Sequence, residues 1–272
     1  MFESWEAKSV LVTGASSGIG AAVACELAKS GAVVGVCARR TDLLDEVLAD
    51  CRRSVPECRA WTIDLSELDA LDEFVHRVEE ELGGIDVLVN NAAQALHGAA
   101  SAVSWNDLEY VQVINYLSPV RVTHAALPAM LARGSGRVVT LSSMAARTST
   151  PGEAAYAASK AALTTYIEAL AGELWDTPIR FHLVYPALID LTPGLDGDDE
   201  LAVSSNGMEP IPAPVLARAI RQQVERGDLE LYVPNSMAGF VAGRARDVTA
   251  SVELMAGWYR SQQPVPDADT RS

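Results

Sequence analysis

The sequence predicts an α/β fold, a doubly wound parallel sheet in one domain, and three observations carry that prediction. Short β-branched runs alternate with segments of helical period. The runs are apolar throughout rather than at alternate positions, as strands covered on both faces are. The first run opens into a glycine-rich turn and a helical segment follows at once. Strands separated by helices pair in parallel through right-handed crossovers.

Taken in order, KSVLVTG is the first strand, and Thr13-Gly14-Ala15-Ser16-Ser17-Gly18-Ile19-Gly20 is the turn into the helix AAVACELAKSG. Glycines there let the backbone approach a pyrophosphate, whose charge meets the amides and dipole of the helix that follows. This strand-turn-helix context is that of a dinucleotide-binding, Rossmann-type sheet. GAVVGVCAR is the second strand, ending at Ala38-Arg39-Arg40. An acidic residue in this slot accepts ribose hydroxyls, whereas arginine accommodates a 2′-phosphate. Arg39 and Arg40 therefore favour NADP(H) over NAD(H), the other reading being two solvent-exposed arginines at a helix start. ECRAWTID is the third strand, with Asp64 and Leu65 at its end; Asp64 either reaches the adenine edge or caps a helix that begins at Ser66. IDVLVNN is the fourth. In NYLSPVRVTH, Pro119 has no N–H to give the carbonyl of Asn115, which either frees that carbonyl or simply bends the helix. GRVVTLSS and IRFHLVYP are the fifth and sixth strands.

Between those two strands lies EAAYAASKAAL, which sets Tyr156 and Lys160 one helical turn apart on an alanine-rich face. After Pro186 the segment ALIDLTPGLDGDDELAVSSNGMEPIPAP is rich in Pro, Gly, Asp and Ser, and reads as a lid or as a surface insertion. A helix in APVLARAIRQQVERG, a strand in LELYVP, a helix around VTASVELMAGWYR and a mobile tail complete the chain. Residues 1–272 are thus expected to be one domain, with 8–186 as the cofactor and catalytic core. Residues 187–235 would be the substrate lid and last strand, and 236–272 the C-terminal helix and tail.

The formal charge of −15 opposes nucleic acid as a partner, so an anionic ligand needs a local site of amides or arginines. MFESWEAK lacks a basic-then-apolar leader, and no apolar run approaches the roughly 20 residues of a membrane span. The expectation is a soluble, cytoplasmic protein. Cys25, Cys37, Cys51 and Cys58 form no CxxC pair and have no companion histidine at ligand spacing, which reads as reduced structural thiols and no metal.

Four segments in order, TGASSGIG, NNAA, LSS and YAASK, resemble the short-chain dehydrogenase/reductase family. The likeness runs from about Lys8 to Pro186 and more loosely to Pro234. It implies hydride transfer between a nicotinamide cofactor and a small alcohol or carbonyl substrate, with Tyr156 as acid or base. A phenol ordinarily titrates near 10, and the Lys160 ammonium is expected to favour the phenolate while also holding the nicotinamide ribose. Ser143, rather than Ser142, is implied to bind the substrate oxygen, and the Asn115 carbonyl a water linked to the lysine. Asn91, Ala92, Pro186, Ile189 and Thr192 are implied cofactor contacts. Ala93 and Ala187 stand where the family has glycine, which either crowds the nicotinamide with a methyl group or restricts positive φ. PALIDLTP also runs one residue longer than the common form.

Leu96, His97, Arg147, Leu188 and Trp175 are candidates for substrate contact. Arg147 would meet an anionic substrate or remain a solvated loop residue. A 3-oxoacyl-carrier-protein reductase is the alternative within the family, opposed by the acidic run Asp196 to Glu200. A non-catalytic cofactor-binding sensor or scaffold is the alternative outside enzymes. The resemblance also implies a homodimer or homotetramer, through an alanine face of residues 154–171 that would otherwise be internal core.

Overall fold

The computed structural model describes Phe2, residues 4–190 and residues 210–262. Thr192, the acidic run Asp196 to Glu200 and the tail lie outside the described residues. The strands are β1 (Ser9–Thr13), β2 (Val33–Ala38), β3 (Arg59–Thr62), β4 (Val87–Asn90), β5 (Gly136–Leu141), β6 (Ile179–Pro186), β7 (Ile189–Asp190), β8 (Ile211–Pro212) and β9 (Glu230–Val233). The helices are α1 (Gly18–Lys29), α2 (Thr41–Arg52), α3 (Leu71–Leu82), α4 (Trp105–Gln112), α5 (Ser118–Arg133), α6 (Ala145–Thr148), α7 (Ala154–Glu173), α8 (Ala213–Arg226), α9 (Met237–Arg246) and α10 (Val248–Gln262).

Seven strands form one sheet in the order β3-β2-β1-β4-β5-β6-β9. Every pairing in it is parallel, and each of the seven runs singled out in the sequence supplies one strand. Strand β1 pairs with β2 on one side and β4 on the other, so the winding reverses there. A crevice opens at the carboxyl ends of strands at such a switch point.

Strands β1, β2, β4 and β5 are buried on both faces, while the edge strands β3 and β9 keep Arg59, Thr62 and Glu230 exposed. Val10 and Val12 of β1 point into one core with Leu27 of α1, Leu44 of α2 and Ile220 of α8. Leu11 points into the other with Phe74 of α3, Met130 of α5 and Ile167 of α7.

Pro119 is absorbed rather than left as a break between two helices. The backbone makes a π turn over Val113–Leu117, and the Ser118 amide donates to the Val113 carbonyl. One extra residue in the turn moves the donors along by one, so the missing N–H costs no bend sharp enough to end the helix. Helix α7 has an inner and an outer side. Ala157, Lys160, Leu163, Thr164, Ile167 and Ala171 are buried inside the chain, while Ala154, Ala158, Thr165, Ala169 and Gly172 face outward.

The short pair β7–β8 ties the two ends of the segment after β6, with Ile189 opposite Ile211. Beyond β9, the Arg244 guanidinium of α9 donates to the Ser149 hydroxyl at 3.0 Å, and the Tyr259 ring of α10 packs on Gly152. Among the described residues no helix is long and apolar enough to cross a membrane, and no three His, Cys, Asp or Glu side chains converge to hold a metal ion.

Candidate active site

A cleft of about 510 Å³ opens at the switch point, walled by the glycine turn, Arg39, Arg40, Asp64, Leu65, Asn91 and Ala92, and reaching Tyr156. Its floor depends on two glycines. Gly14 sits at φ +66°, and a Cβ there would come within 2.6 Å of the Ala92 backbone. A Cβ on Gly20 would meet the Gly14 carbonyl at 2.6 Å. The Asn91 side chain donates to the carbonyls of Thr13 (2.9 Å) and Gly14 (3.1 Å), and the Thr13 hydroxyl accepts from the amides of Asn91 and Ala92. The end of β4 is thereby fastened to the turn. Gly14→Ala is expected to destabilise the fold by about 1–3 kcal/mol, because positive φ and a sub-contact distance coincide; a thermal melt unchanged from the parent would contradict this.

Helix α1 begins without a side-chain cap, since Ser17, its N-cap, makes no hydrogen bond to the helix amides. The Ser17 hydroxyl instead accepts from Arg40 Nη2 at 2.6 Å, and Ser16 from the same nitrogen at 3.0 Å. Uncapped amides above a cradle that only glycine permits, with a guanidinium and two hydroxyls beside them, form a fitting site for a phosphate-bearing dinucleotide. Arg39 donates to the Tyr110 hydroxyl at 2.7 Å and lies 3.8 Å from Asp64. Tyr110, on α4, is a cleft residue that sequence spacing did not signal. Asp64 accepts from the Ser66 amide (2.9 Å) and hydroxyl (2.8 Å), which closes a local turn rather than capping a helix at Ser66, since the next helical turn begins at Leu68. Asp64 also lines the cleft. Burial works to raise its pKa, but the Ser66 bonds and Arg39 leave it below the usual carboxylate value.

At the other end of the cleft, β5 delivers two serines to different places. The Ser142 hydroxyl turns inward and shares a 2.7 Å hydrogen bond with Thr164. Ser143 instead neighbours the Tyr156 phenol, whose pKa it lowers, and its hydroxyl accepts from the Ala145 amide at 3.1 Å. Lys160 is 2% exposed and donates from Nζ to the Leu141 carbonyl at 2.7 Å. Burial lowers its pKa to about 8.

The tyrosine departs from expectation. Burial raises its pKa, the neighbouring Ser143 hydroxyl offsets this in part, and the Glu153 carboxylate raises it further. The physical reason lies in the lysine's reach: its ammonium is spent on a β5 carbonyl, and desolvation of the phenol dominates. Tyr156 is therefore held as the neutral phenol at neutral pH.

Asn115 is fully buried, and its side chain has work the sequence did not reveal. Its Nδ2 donates to the Gln94 carbonyl and to the Ser159 hydroxyl, both at 3.0 Å, while Oδ1 accepts from the Gln94 amide at 2.8 Å. Ser159 in turn donates to the Tyr156 carbonyl at 2.7 Å. Asn115 thus couples the π turn, the loop after β4 and helix α7. Pro186 and Ile189 do not line the cleft; the Pro186 carbonyl accepts from the Met144 amide at 3.0 Å, and Ile189 pairs in the β7–β8 ribbon. Neither Ala93 nor Ala187 has positive φ, so the alanines strain no backbone. The Ala93 methyl does face the cleft.

The substrate candidates separate by position. Trp175 is 73% exposed beyond the far end of α7, roughly 25 Å along the helix from Tyr156. Leu188 is exposed beside the β7–β8 ribbon. Arg147 is neither solvated nor offered to an anion. It pairs with Glu168 and, at 2.8 Å, with Glu230, donates to the Tyr185 hydroxyl at 2.7 Å and stacks over that ring at 4.8 Å. This network pins α6, the turn that follows Ser143, to α7, β6 and β9. Arg147→Met would leave two carboxylates facing one another, at a cost of about 1–3 kcal/mol after discounting for their partial exposure. A melt lowered by several degrees is expected, and an unchanged one would show the network to be dispensable.

The family model described as short chain dehydrogenase matches residues 8–200. A fatty acyl-CoA reductase of Mycobacterium tuberculosis is 36% identical over 198 residues, covering 70% of this chain and 67% of its own length. The match spans 55–67% of the first curated relatives. Among solved structures, a short-chain dehydrogenase from Streptomyces avermitilis superposes with a TM-score of 0.78 at 31% identity, covering 94% of this chain and 98% of its own. A metagenomic short-chain oxidoreductase in complex with NADP does so with a TM-score of 0.72 at 29% identity, over 85% and 98%.

Proposed function

The chain belongs to the short-chain dehydrogenase family, and from that premise we propose that it is an NADP(H)-dependent oxidoreductase interconverting a secondary alcohol and a ketone or other carbonyl. The observation that carries this reading is Tyr156 lining the end of a dinucleotide-sized cleft with Ser143 as its neighbour and Lys160 buried one turn on. Arg40 on the hydroxyls of Ser16 and Ser17, with Arg39 beside it, supports the phosphorylated cofactor, as does the NADP carried by the metagenomic relative. The glycine turn and α1 amides would hold the pyrophosphate, and Asp64 and Leu65 would flank the adenine. Asn91, Ala92, Tyr156 and Lys160 would border the nicotinamide end, with Pro186, Ile189 and Thr192 beyond them. When bound, the nicotinamide supplies or accepts the hydride.

The chain's own groups do the rest. Ser143 donates to the substrate oxygen and orients it over the cleft. Tyr156, protonated at rest, gives its hydroxyl proton to that oxygen as negative charge develops during reduction, and recovers it from the alcohol during oxidation. Lys160, one turn from Tyr156, keeps a buried positive charge on α7 with its Nζ on the Leu141 carbonyl, and the Asn115 carbonyl is the proposed route by which the proton is replaced from water.

The test is NADPH oxidation by the purified protein over a panel of aldehydes, ketones and a 3-oxoacyl thioester, with NADH alongside. Turnover that prefers NADPH supports the reading; cofactor binding without turnover of any member removes it. A pH profile adds a second check. A group lowered to about 8 is cationic below that pH and neutral above it, so reductive kcat is expected to fall as pH rises through about 8. This alkaline limb should vanish in Lys160→Met along with most activity. A profile flat to pH 10 would show that the lysine charge is not required.

A further inference from the structure

We propose that Glu153 and His97 form a positioning pair that sets the place and the charge environment of the Tyr156 hydroxyl. The inference rests on Tyr156 being the acid and base of the reaction, and goes beyond it by assigning control of that residue to two others.

Glu153 is the N-cap of α7, where a carboxylate ordinarily turns back to bond the first helix amides. It makes no such bond. Its Oε1 lies 3.0 Å from His97 Nδ1, which comes from the loop after β4. A backbone bond runs parallel to this contact, from the Gly98 amide to the Gly152 carbonyl at 2.8 Å. The loop before α7 is gripped from two further sides, by Arg244 on Ser149 and by the Tyr259 ring, which lies 3.1 Å from where a Cβ on Gly152 would be. Segments from three parts of the chain therefore converge on the five residues that precede Tyr156 by one turn. Glu153 is also the carboxylate that acts on the proton affinity of that phenol.

The charged and titratable groups around it are few. His97 faces Glu153 from the loop after β4, and Arg244 and Tyr259 hold the loop from α9 and α10. Lys160 lies on α7 itself, with its Nζ turned to the Leu141 carbonyl. Ser143 meets the phenol from the end of β5. With the lysine turned away, the Glu153 charge acts on the phenol unopposed by a nearby contact cation, and His97 holds that carboxylate in one orientation. Burial keeps the resting phenol protonated and the Glu153 charge adds to that effect, so the site is ready to reduce a carbonyl at neutral pH and slow to oxidise an alcohol until the pH is raised. At 66% exposure of the histidine the pair adds little to stability, so its effect belongs in the chemistry rather than in the melt.

The experiment is an ultraviolet phenolate titration of the purified protein, with Tyr156→Phe subtracted to isolate one tyrosine, repeated in Glu153→Gln. The midpoint is expected to move to lower pH in Glu153→Gln, and the onset of alcohol oxidation with it. His97→Leu should lower kcat about fivefold with NADPH affinity unchanged, and His97→Asn, which keeps a nitrogen near the Nδ1 position, should restore most of the loss. An unmoved midpoint in an active Glu153→Gln enzyme, or His97→Leu turning over like the parent, overturns the pair. The titration needs no turnover, so a shifted midpoint in a protein that reduces no carbonyl supports the pair while removing the oxidoreductase reading.

Discussion

Replacing Tyr156 with Phe is expected to lower kcat by about 10²–10⁴ while leaving NADP(H) affinity within about twofold. Phenylalanine keeps the ring in its buried place and removes only the hydroxyl, so the change deletes a proton donor and little else. The Ser143 hydroxyl keeps the hydrogen bond it accepts from the Ala145 amide at 3.1 Å, so the turn into α6 should hold. Single-turnover kinetics with saturating cofactor isolate the chemical step. Retention of more than about a tenth of the parent rate would take the acid and base role away from Tyr156. A loss of cofactor affinity equal to the loss of rate would point to a site that had rearranged.

The second large effect concerns the two arginines at the end of β2. Arg40 already binds the hydroxyls of Ser16 and Ser17, and Arg39 is turned between Tyr110 and Asp64. Charge-assisted bonds to a phosphate contribute about 1.5–3 kcal/mol each, roughly ten- to a hundredfold in affinity. Arg40→Ala is therefore expected to weaken NADPH by that factor and NADH by no more than about threefold. Arg39→Asp would place a second carboxylate beside Asp64 and should turn the preference toward NADH. Isothermal titration with both cofactors measures this directly, and equal losses for NADPH and NADH would mean that the 2′-phosphate is recognised elsewhere.

Much of the molecule was legible in the chain itself. Seven apolar runs became seven parallel strands because a strand covered on both faces must be apolar at every position. The glycine turn was legible because positive φ at Gly14 and close backbone approach at Gly20 leave no alternative residue. Tyr156 and Lys160 were legible because helical period alone brings them to one face.

What lay beyond the sequence is set by contacts between distant segments. Tyr110 meets Arg39 across 71 residues, and Arg147 meets Glu230 across 83. No local period encodes such pairs; they exist because crossovers bring α4 to the end of β2 and β9 to the flank of α6. The same holds for the direction of the Tyr156 shift. Sequence places a lysine one turn away and suggests a lowered phenol, but packing buries the phenol, sends the ammonium to the Leu141 carbonyl and leaves Glu153 nearby. Local propensity and period determined which residues could do the chemistry. Only the tertiary structure decided their charges, since desolvation and distance are properties of the packed molecule.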